Sequence, residues 1–280
     1  MRIVLDGMGS DDYPAPEAQA AVMAVREFGD EVILVGDRAK LEPALAAAAG
    51  ASVQDRDLKL IRIVHASEVL EMADKAATSA RSKADNSMAV GMDLLKNGEA
   101  DAFVTAGNTG AAMATALFRL GRLRGVKRPT LAAALPVEGG RAVLTDIGAN
   151  AECKPEYLLQ FAIMGSLYAE KVLGVSRPRV GLISNGEEAS KGNQLVKEAY
   201  PLLAASRLNF VGNVEGKELF GGQVDVAVTD GFTGNVLLKV SEAVAKLLTD
   251  TIRAELASGI LTTVGGLLAR PAFRKVRTLL

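Results

Sequence analysis

Six apolar runs in this chain each lead straight into a turn rich in Gly, Asn and Asp, and each turn is followed by a stretch of helical spacing. The turns are Asp6-Gly7-Met8-Gly9-Ser10-Asp11, Ala106-Gly107-Asn108-Thr109-Gly110, Asp146-Ile147-Gly148-Ala149-Asn150, Ser184-Asn185-Gly186-Glu187, Asn213-Val214-Glu215-Gly216 and Thr229-Asp230-Gly231-Phe232-Thr233-Gly234-Asn235. Strand, turn and helix in that order form the repeating unit of an open α/β sheet. Ligands of such sheets bind outside the carboxyl ends of the strands. Helix N-termini there offer free backbone N–H groups and the positive end of a dipole, which suits phosphate. The turns point to an anionic ligand.

Strand-like runs cover 2–6, 31–36, 59–65, 102–106, 130–137, 141–147, 179–184, 209–214 and 224–229. Ala/Leu-rich stretches at helical spacing cover 15–28, 38–49, 86–97, 110–120, 155–173, 190–205 and 235–257. This alternation predicts crossover connections and a three-layer, open, largely parallel sheet. The runs 130–137 and 141–147, joined by Glu138-Gly139-Gly140, predict a hairpin and hence some antiparallel pairing. Residues 71–88 are polar and weakly patterned and read as a mobile loop. A chain of 280 residues suffices for one large domain or two intimate ones, and 1–280 is taken as a single α/β domain.

Composition removes several function classes. The net charge of −1 gives no reason to expect nucleic acid. With one Cys and one His, neither a disulfide framework nor a Cys/His zinc site can form, and a reducing cytoplasm is expected. The sequence opens on the strand-like Arg2-Ile3-Val4-Leu5, so no signal peptide is expected. No apolar run approaches the ~20 residues that cross a bilayer. The charge is uneven: residues 251–280 carry +4 and the rest −5. In that basic stretch Leu256, Ile260, Leu261, Val264, Leu267 and Leu268 recur at helical spacing, with Gly265-Gly266 and Pro271 expected to break it into short pieces. Such a pattern fits apolar tips at a lipid interface, a dimer contact, a wall for an acyl chain, or a packed terminal helix.

Within the turns, Asn108 stands at a strand mouth and a helix start, where Asn, Thr and Gly serve as caps as readily as ligand donors. Lys191, beside Gly192 in the polar cluster 184–193, reads as a phosphate clamp or a solvated lysine. The order Lys-Gly there is not that of a Walker loop. Asp6, Asp146 and Asp230 fall at strand ends, where Asp fixes turns or holds a metal. Cys153 has no identifiable partner base and reads as an inert filler rather than an acyl carrier. His65 reads equally as a base or as a structural group at a strand end. No Gly-x-Ser-x-Gly elbow is present.

Eight stretches together, in order and over nearly the whole chain, resemble the bacterial phosphate acyltransferases of phospholipid synthesis. They are Leu5–Asp11 with Pro14, Ala66–Met72, Lys96–Ala102, Ala106–Ala111, Asp146–Asn150, Cys153–Glu156, Asn185–Glu188 with Lys191-Gly192, and Asp230–Asn235. The resemblance implies a fold like phosphotransacetylase and the isocitrate/isopropylmalate dehydrogenases, and a homodimer. It implies transfer of a long acyl chain from acyl carrier protein to inorganic phosphate, with no cofactor and no metal. The product would pass to a membrane glycerol-3-phosphate acyltransferase, and peripheral membrane contact is implied. Family chains continue with a Tyr-Gly-Gly turn and a last strand, so a short missing C-terminal segment is expected after Leu280.

On this reading Lys191, Asn108, Asp230 and Asn235 are catalytic, with Asp230 or Asp146 orienting the lysine. Asp6, Gly7, Gly9, Gly107, Thr109, Gly110, Asp146, Asn150, Asn185, Glu187 and Gly234 bind phosphate or substrate. Basic residues at the site mouth meet the acidic carrier protein. Rival readings are a phosphate acetyl- or butyryltransferase acting on coenzyme A thioesters and a non-catalytic acyl-chain-binding protein at the membrane surface. An NAD-dependent dehydrogenase is opposed by the lack of Gly-x-Gly-x-x-Gly with a distal acid.

Overall fold

The computed structural model describes residues 1–50 and 55–279. The chain divides into two compact units, Met1–Leu123 and Arg124–Leu280. All nine expected strands form, shared between a four-stranded and a five-stranded sheet.

In the first unit the strands are β1 (Arg2–Asp6), β2 (Glu31–Gly36), β3 (Ile61–His65) and β4 (Ala102–Val104). They pair in parallel in the order β3-β2-β1-β4. The helices are α1 (Ala15–Phe28), α2 (Arg38–Ala49), α3 (Asp55–Leu58), α4 (Ala76–Ser82), α5 (Ser87–Lys96) and α6 (Thr109–Arg119). Ala21 and Val25 of α1 pack on Val32, whereas Leu94 of α5 joins Val4, Ile33 and Val35 in a separate cluster. Strand β2 shows why the sheet is covered on both sides: five successive residues, Val32–Gly36, are buried. The chain leaves β1 towards β2 and later returns to β4 on the other side of β1. That reversal makes the β1/β4 boundary a topological switch point, where a ligand crevice is expected.

The second unit opens with the expected hairpin, β5 (Ala132–Val137) and β6 (Gly140–Thr145), which pair antiparallel. It continues through α7 (Pro155–Val172), β7 (Arg179–Ile183), α8 (Gln194–Ala204), β8 (Asn209–Val214), α9 (Gly216–Phe220) and β9 (Val226–Val228). Helices α10 (Gly231–Leu256) and α11 (Ile260–Leu279) follow. The sheet order is β5-β6-β9-β7-β8, with β6, β9, β7 and β8 parallel. Leu158, Phe161 and Ala162 of α7 and Ala199 and Leu203 of α8 cover one face with Val180, Leu182, Val226 and Val228. Leu219 of α9 and Leu237 and Leu238 of α10 belong to the cluster on the other. Strand β9, last in the chain, inserts between β6 and β7, so α10 starts on the opposite face from α7 and α8.

Three expectations need correction. Residues 71–88 are not a featureless loop: α4 lies there, and Lys83 Nζ binds Asp74 Oδ2 at 2.6 Å and the Val69 carbonyl at 2.7 Å. These tertiary bonds order a segment whose own pattern is weak. The C-terminal stretch is not broken: α11 runs continuously through Gly265, Gly266 and Pro271. Leu256 packs against Gly266, where an added Cβ would make an ordinary contact at 3.4 Å from Leu256 Cδ2. Finally, α8 begins at Gln194 rather than 190, because Asn193 caps it by accepting from Val196 N. Lys191 therefore precedes the helix.

Candidate active site

The two turns of the first unit meet at its switch point. Asp6 is buried; its Oδ1 accepts from Met8 N at 3.1 Å and its Oδ2 from the Thr105 hydroxyl at 2.7 Å. Thr105 Oγ1 in turn accepts from Gly107 N at 2.9 Å. The chain Asp6–Thr105–Gly107 ties the β1 and β4 turns together. Gly9 and Gly107 make the approach possible: a Cβ on Gly9 would lie 2.9 Å from Gly107 N, and one on Gly107 would lie 3.2 Å from Gly9 Cα. Gly7 faces Leu41, with its N–H on the Val35 carbonyl. Glu17 in the first turn of α1 is buried and accepts from Ser10 N at 2.9 Å.

Asn108 is a cap in the full sense. Its Oδ1 accepts from Ala111 N at 3.0 Å, and its Nδ2 donates to the carbonyls of Met72 (2.9 Å) and Asp74 (3.3 Å). Thr109 and Gly110 form the first turn of α6 behind it, Gly110 close to Ala76. The carboxamide thus spends both N–H groups on the 71–75 backbone. His65 Nδ1 accepts from Arg38 N at 3.3 Å, at the start of α2, which is a structural position.

In the second unit the parallel strands β6, β9, β7 and β8 end on one edge and present four turns. Asp146, fully buried, organises the first. Its Oδ1 takes the N–H groups of Leu131, Gly148 and Ala149, and its Oδ2 takes Asn150 N and Asn150 Nδ2. Asn150 Nδ2 also reaches the Pro129 carbonyl. Asp230 caps α10, accepting from Thr233 N at 2.9 Å and from the Thr233 hydroxyl at 2.8 Å. Gly234 then packs on the 146–150 turn so closely that a Cβ would overlap the Asp146 carbonyl oxygen. Asn235, exposed, lies over Gly148.

The 184–193 turn is held by Asn185 Oδ1, which accepts from Gly192 N at 2.9 Å. The Lys191 stem lies against Gly186, and its ammonium is exposed. Among the described residues neither the Lys191 ammonium nor the Asn235 carboxamide has a partner. The orienting carboxylate expected for Lys191 is not found: Asp146 and Asp230 are both committed to turn and cap bonds. Glu187 pairs with Lys217 Nζ at 2.8 Å. Among the described residues, Glu187, Glu215 and Glu218 form the one carboxylate group with metal-ligand spacing, and Lys217 Nζ sits among them at 2.8, 3.5 and 3.4 Å.

Cys153 donates to the Asn150 carbonyl at 3.3 Å, and burial pushes its thiol up to about 11, with Asp146 and Asp230 acting in the same direction. Burial therefore favours the protonated thiol in this setting. Thr105, Glu17 and Asn213 were missed in the sequence. Thr105 lies just before its turn, and Glu17 lies in a helix; only Asn213 stood in a turn already singled out.

A family described as a fatty acid synthesis protein matches residues 1–279. A phosphate acyltransferase of Elusimicrobium minutum is 49% identical over 277 residues, spanning 99% of this chain and 80% of that protein. One from Geobacter sulfurreducens is 48% identical over 277 residues, spanning 99% and 78%. One from Acidobacterium capsulatum is 51% identical over 272 residues, spanning 97% and 79%. Among solved structures, a phosphotransacetylase from Streptococcus pyogenes superposes with a TM-score of 0.65 at 18% identity, covering 88% of this chain and 82% of that one. The EutD phosphotransacetylase from Staphylococcus aureus gives 0.60 at 18% identity over the same shares, 88% and 82%. At that identity the likeness is one of fold.

Proposed function

The chain belongs to the phosphate acyltransferase family, and from that premise we propose that it moves a long-chain acyl group from acyl carrier protein to inorganic phosphate, giving an acyl phosphate for phospholipid synthesis. The observation that carries the reading is Lys191. Its ammonium is exposed and unpaired at the carboxyl edge of the second unit's sheet, two residues ahead of the capped N-terminus of α8. A cation and free helix N–H groups together suit a phosphate dianion.

The chemistry asks little of a base, because phosphate is already anionic near neutral pH. A phosphate oxygen adds to the thioester carbonyl carbon. The C–S bond then breaks, the acyl–oxygen–phosphorus linkage forms, and the carrier thiolate leaves and takes a proton from solvent. The protein must hold the dianion near the electrophile and stabilise the oxyanion that develops. Lys191 and the first N–H groups of α8 hold phosphate, and the free carboxamide of Asn235 is the donor for the oxyanion. Asp146, Asn150, Asp230, Asn185 and Gly234 keep the turns in shape. In the first unit Asp6, Gly7, Gly9, Gly107, Asn108, Thr109 and Gly110 shape that unit's own switch-point crevice, which suits an anionic part of the substrate.

Residues 1–280 work as one catalytic module on this reading, as a homodimer, with 251–280 meeting the membrane surface. Ile260, Leu261 and Leu268 are 86%, 88% and 78% exposed on α11 beside Arg270 and Arg274, which supports a lipid-facing role. Leu267 and Val264 are less exposed, at 63% and 50%, and Leu256 is half-buried. No described helix is long and apolar enough to cross a membrane. The acyl phosphate would then be used by a membrane glycerol-3-phosphate acyltransferase.

The test is donor preference. Hydroxylamine trapping of acyl phosphate is compared for long-chain acyl carrier protein and short-chain coenzyme A thioesters at equal phosphate. A kcat/KM at least about tenfold higher for the carrier-protein donor is expected, a difference of about 1.4 kcal/mol in transition-state binding. A preference for short coenzyme A thioesters would replace the proposed donor.

A further inference from the structure

Lys191 stands on a turn that would be free to wander if nothing below held it. Asn185 closes the turn on itself at Gly192 N, and a side chain from the neighbouring strand ties it to the sheet below. Asn213, at the end of β8, is 4% exposed, and its Nδ2 donates to the Glu188 carbonyl at 2.8 Å. The same carbonyl accepts from Lys191 N at 2.9 Å. One oxygen therefore joins the buried carboxamide to the lysine's own backbone. The orientation of the carboxamide follows from its partner, because the reversed amide would set two oxygens face to face.

The backbone is arranged to produce this contact. Val180 pairs with Phe210, but Gly181 pairs with Gly212, so Val211 is an extra residue in β8. Without the bulge, Gly212 would stand opposite Leu182. With it, Asn213 takes that place and turns onto the α7/α8 face, beneath the 184–193 turn. The arrangement also leaves Asn213 Oδ1 and Ser184 Oγ buried without partners. Buried polar atoms of this kind are uncommon in native proteins.

We propose that Asn213 is a positioning residue for phosphate binding: it fixes the Glu188 carbonyl and thereby the place from which Lys191 reaches phosphate. The proposal rests on Lys191 being the phosphate ligand. Loss of the Asn213 donor leaves the ammonium present but lets its turn drift, so binding of phosphate suffers while the acyl donor is still bound.

The experiment is a double-mutant cycle in the full chain with Lys191→Ala, Asn213→Ala and the pair, using inorganic phosphate and long-chain acyl carrier protein as substrates. Thermal melting and the fraction of folded protein are measured for each. The expected result for Asn213→Ala is a KM for phosphate raised about tenfold with the KM for the acyl donor unchanged. The double variant should be no worse than Lys191→Ala alone, since residues that act as a unit are not additive. Asn213→Ser, which keeps a buried hydroxyl but is too short to span to Glu188, should reproduce the phosphate defect if Asn213→Ala folds poorly. A fall in kcat with both KM values unchanged would mark a merely structural role and overturn the proposal, as would additive losses in the double variant. Wild-type phosphate KM in Lys191→Ala would remove the underlying reading. A defect in Lys191→Ala with wild-type KM in both Asn213 variants would sink the positioning role alone.

Discussion

Asp146 illustrates how a residue at a strand end fixes the turn that follows it. Its carboxylate receives N–H groups from Leu131, Gly148, Ala149 and Asn150, the last through both backbone and side chain. Asp146→Asn places an NH₂ group against at least two of these donors. It should cost about 3 kcal/mol, read as a lower denaturant midpoint at unchanged slope. An unchanged midpoint would mean that the turn does not depend on the charge. Asp6 shows why such roles were not readable beforehand: its partner Thr105 is 99 residues away, and spacing says nothing about a bond of that range. For Asp230 the cap was legible, because Thr233 stands three residues on, at the distance at which a capping side chain meets a backbone N–H. Burial raises the Cys153 thiol, and that gives a pH test. A group with its pKa near 11 is thiolate to only about a thousandth at pH 8, and that share grows tenfold with each unit of rising pH. Alkylation by iodoacetamide should therefore be slow at pH 8 and accelerate towards pH 11, and Cys153→Ala should keep its activity. Rapid labelling at pH 7 would contradict the burial that raises the thiol.

Elements were far more legible than bonds. Strands of an α/β sheet buried on both faces read as continuous apolar runs, and the six strand-to-helix turns announced themselves through Gly, Asn and Asp. The failures fall where tertiary contacts overrode a weak or misleading local pattern. Residues 71–88 lack periodicity, yet Asn108 pins their backbone from outside at Met72 and Asp74, and Lys83 ties the segment to the Val69 carbonyl. Asn108→Ala removes one cap and two carbonyl contacts together. A loss of about 1 kcal/mol is expected from the cap, with faster proteolysis between 71 and 83 than at any other described loop of the first unit. Unchanged proteolysis there would show that Lys83 suffices. Helix α11 misled in the opposite way: Gly265-Gly266 reads as a breaker, but Gly266 is where Leu256 packs. Gly266→Leu should loosen the α10–α11 packing without removing the helix, lowering the melting temperature while helical circular dichroism at 20 °C changes little.

At the scale of the whole molecule the charge asymmetry acquires a physical meaning. A body of −5 carries a segment of +4 whose apolar side chains on α11 are bare. Each exposed Leu buried in a lipid interface is worth about 2 kcal/mol, and nearby Lys and Arg add about 1 kcal/mol each at an anionic surface. Leu261→Glu with Leu268→Glu should abolish co-sedimentation with vesicles of anionic lipid while leaving turnover of a soluble donor in place. Undiminished binding would move the contact elsewhere. The same whole-chain view separates what the sequence pattern could carry from what it could not. Fold class follows from alternation, and family follows from eight ordered stretches. The division of labour among polar groups depends on which of them the fold leaves unpaired, and only Lys191 and Asn235 of the expected catalytic residues are left so.

If phosphate attacks the carrier-protein thioester directly, single-turnover release of carrier thiol depends on phosphate. Long-chain acyl carrier protein is mixed with excess protein, first without phosphate and then with it, and the product is trapped with hydroxylamine. Direct attack by phosphate gives no thiol in the first arm, and thiol with an equal amount of hydroxamate in the second. A burst of thiol before phosphate is added would reveal an acyl-enzyme, and no thiol in either arm would contradict the acyl transfer itself.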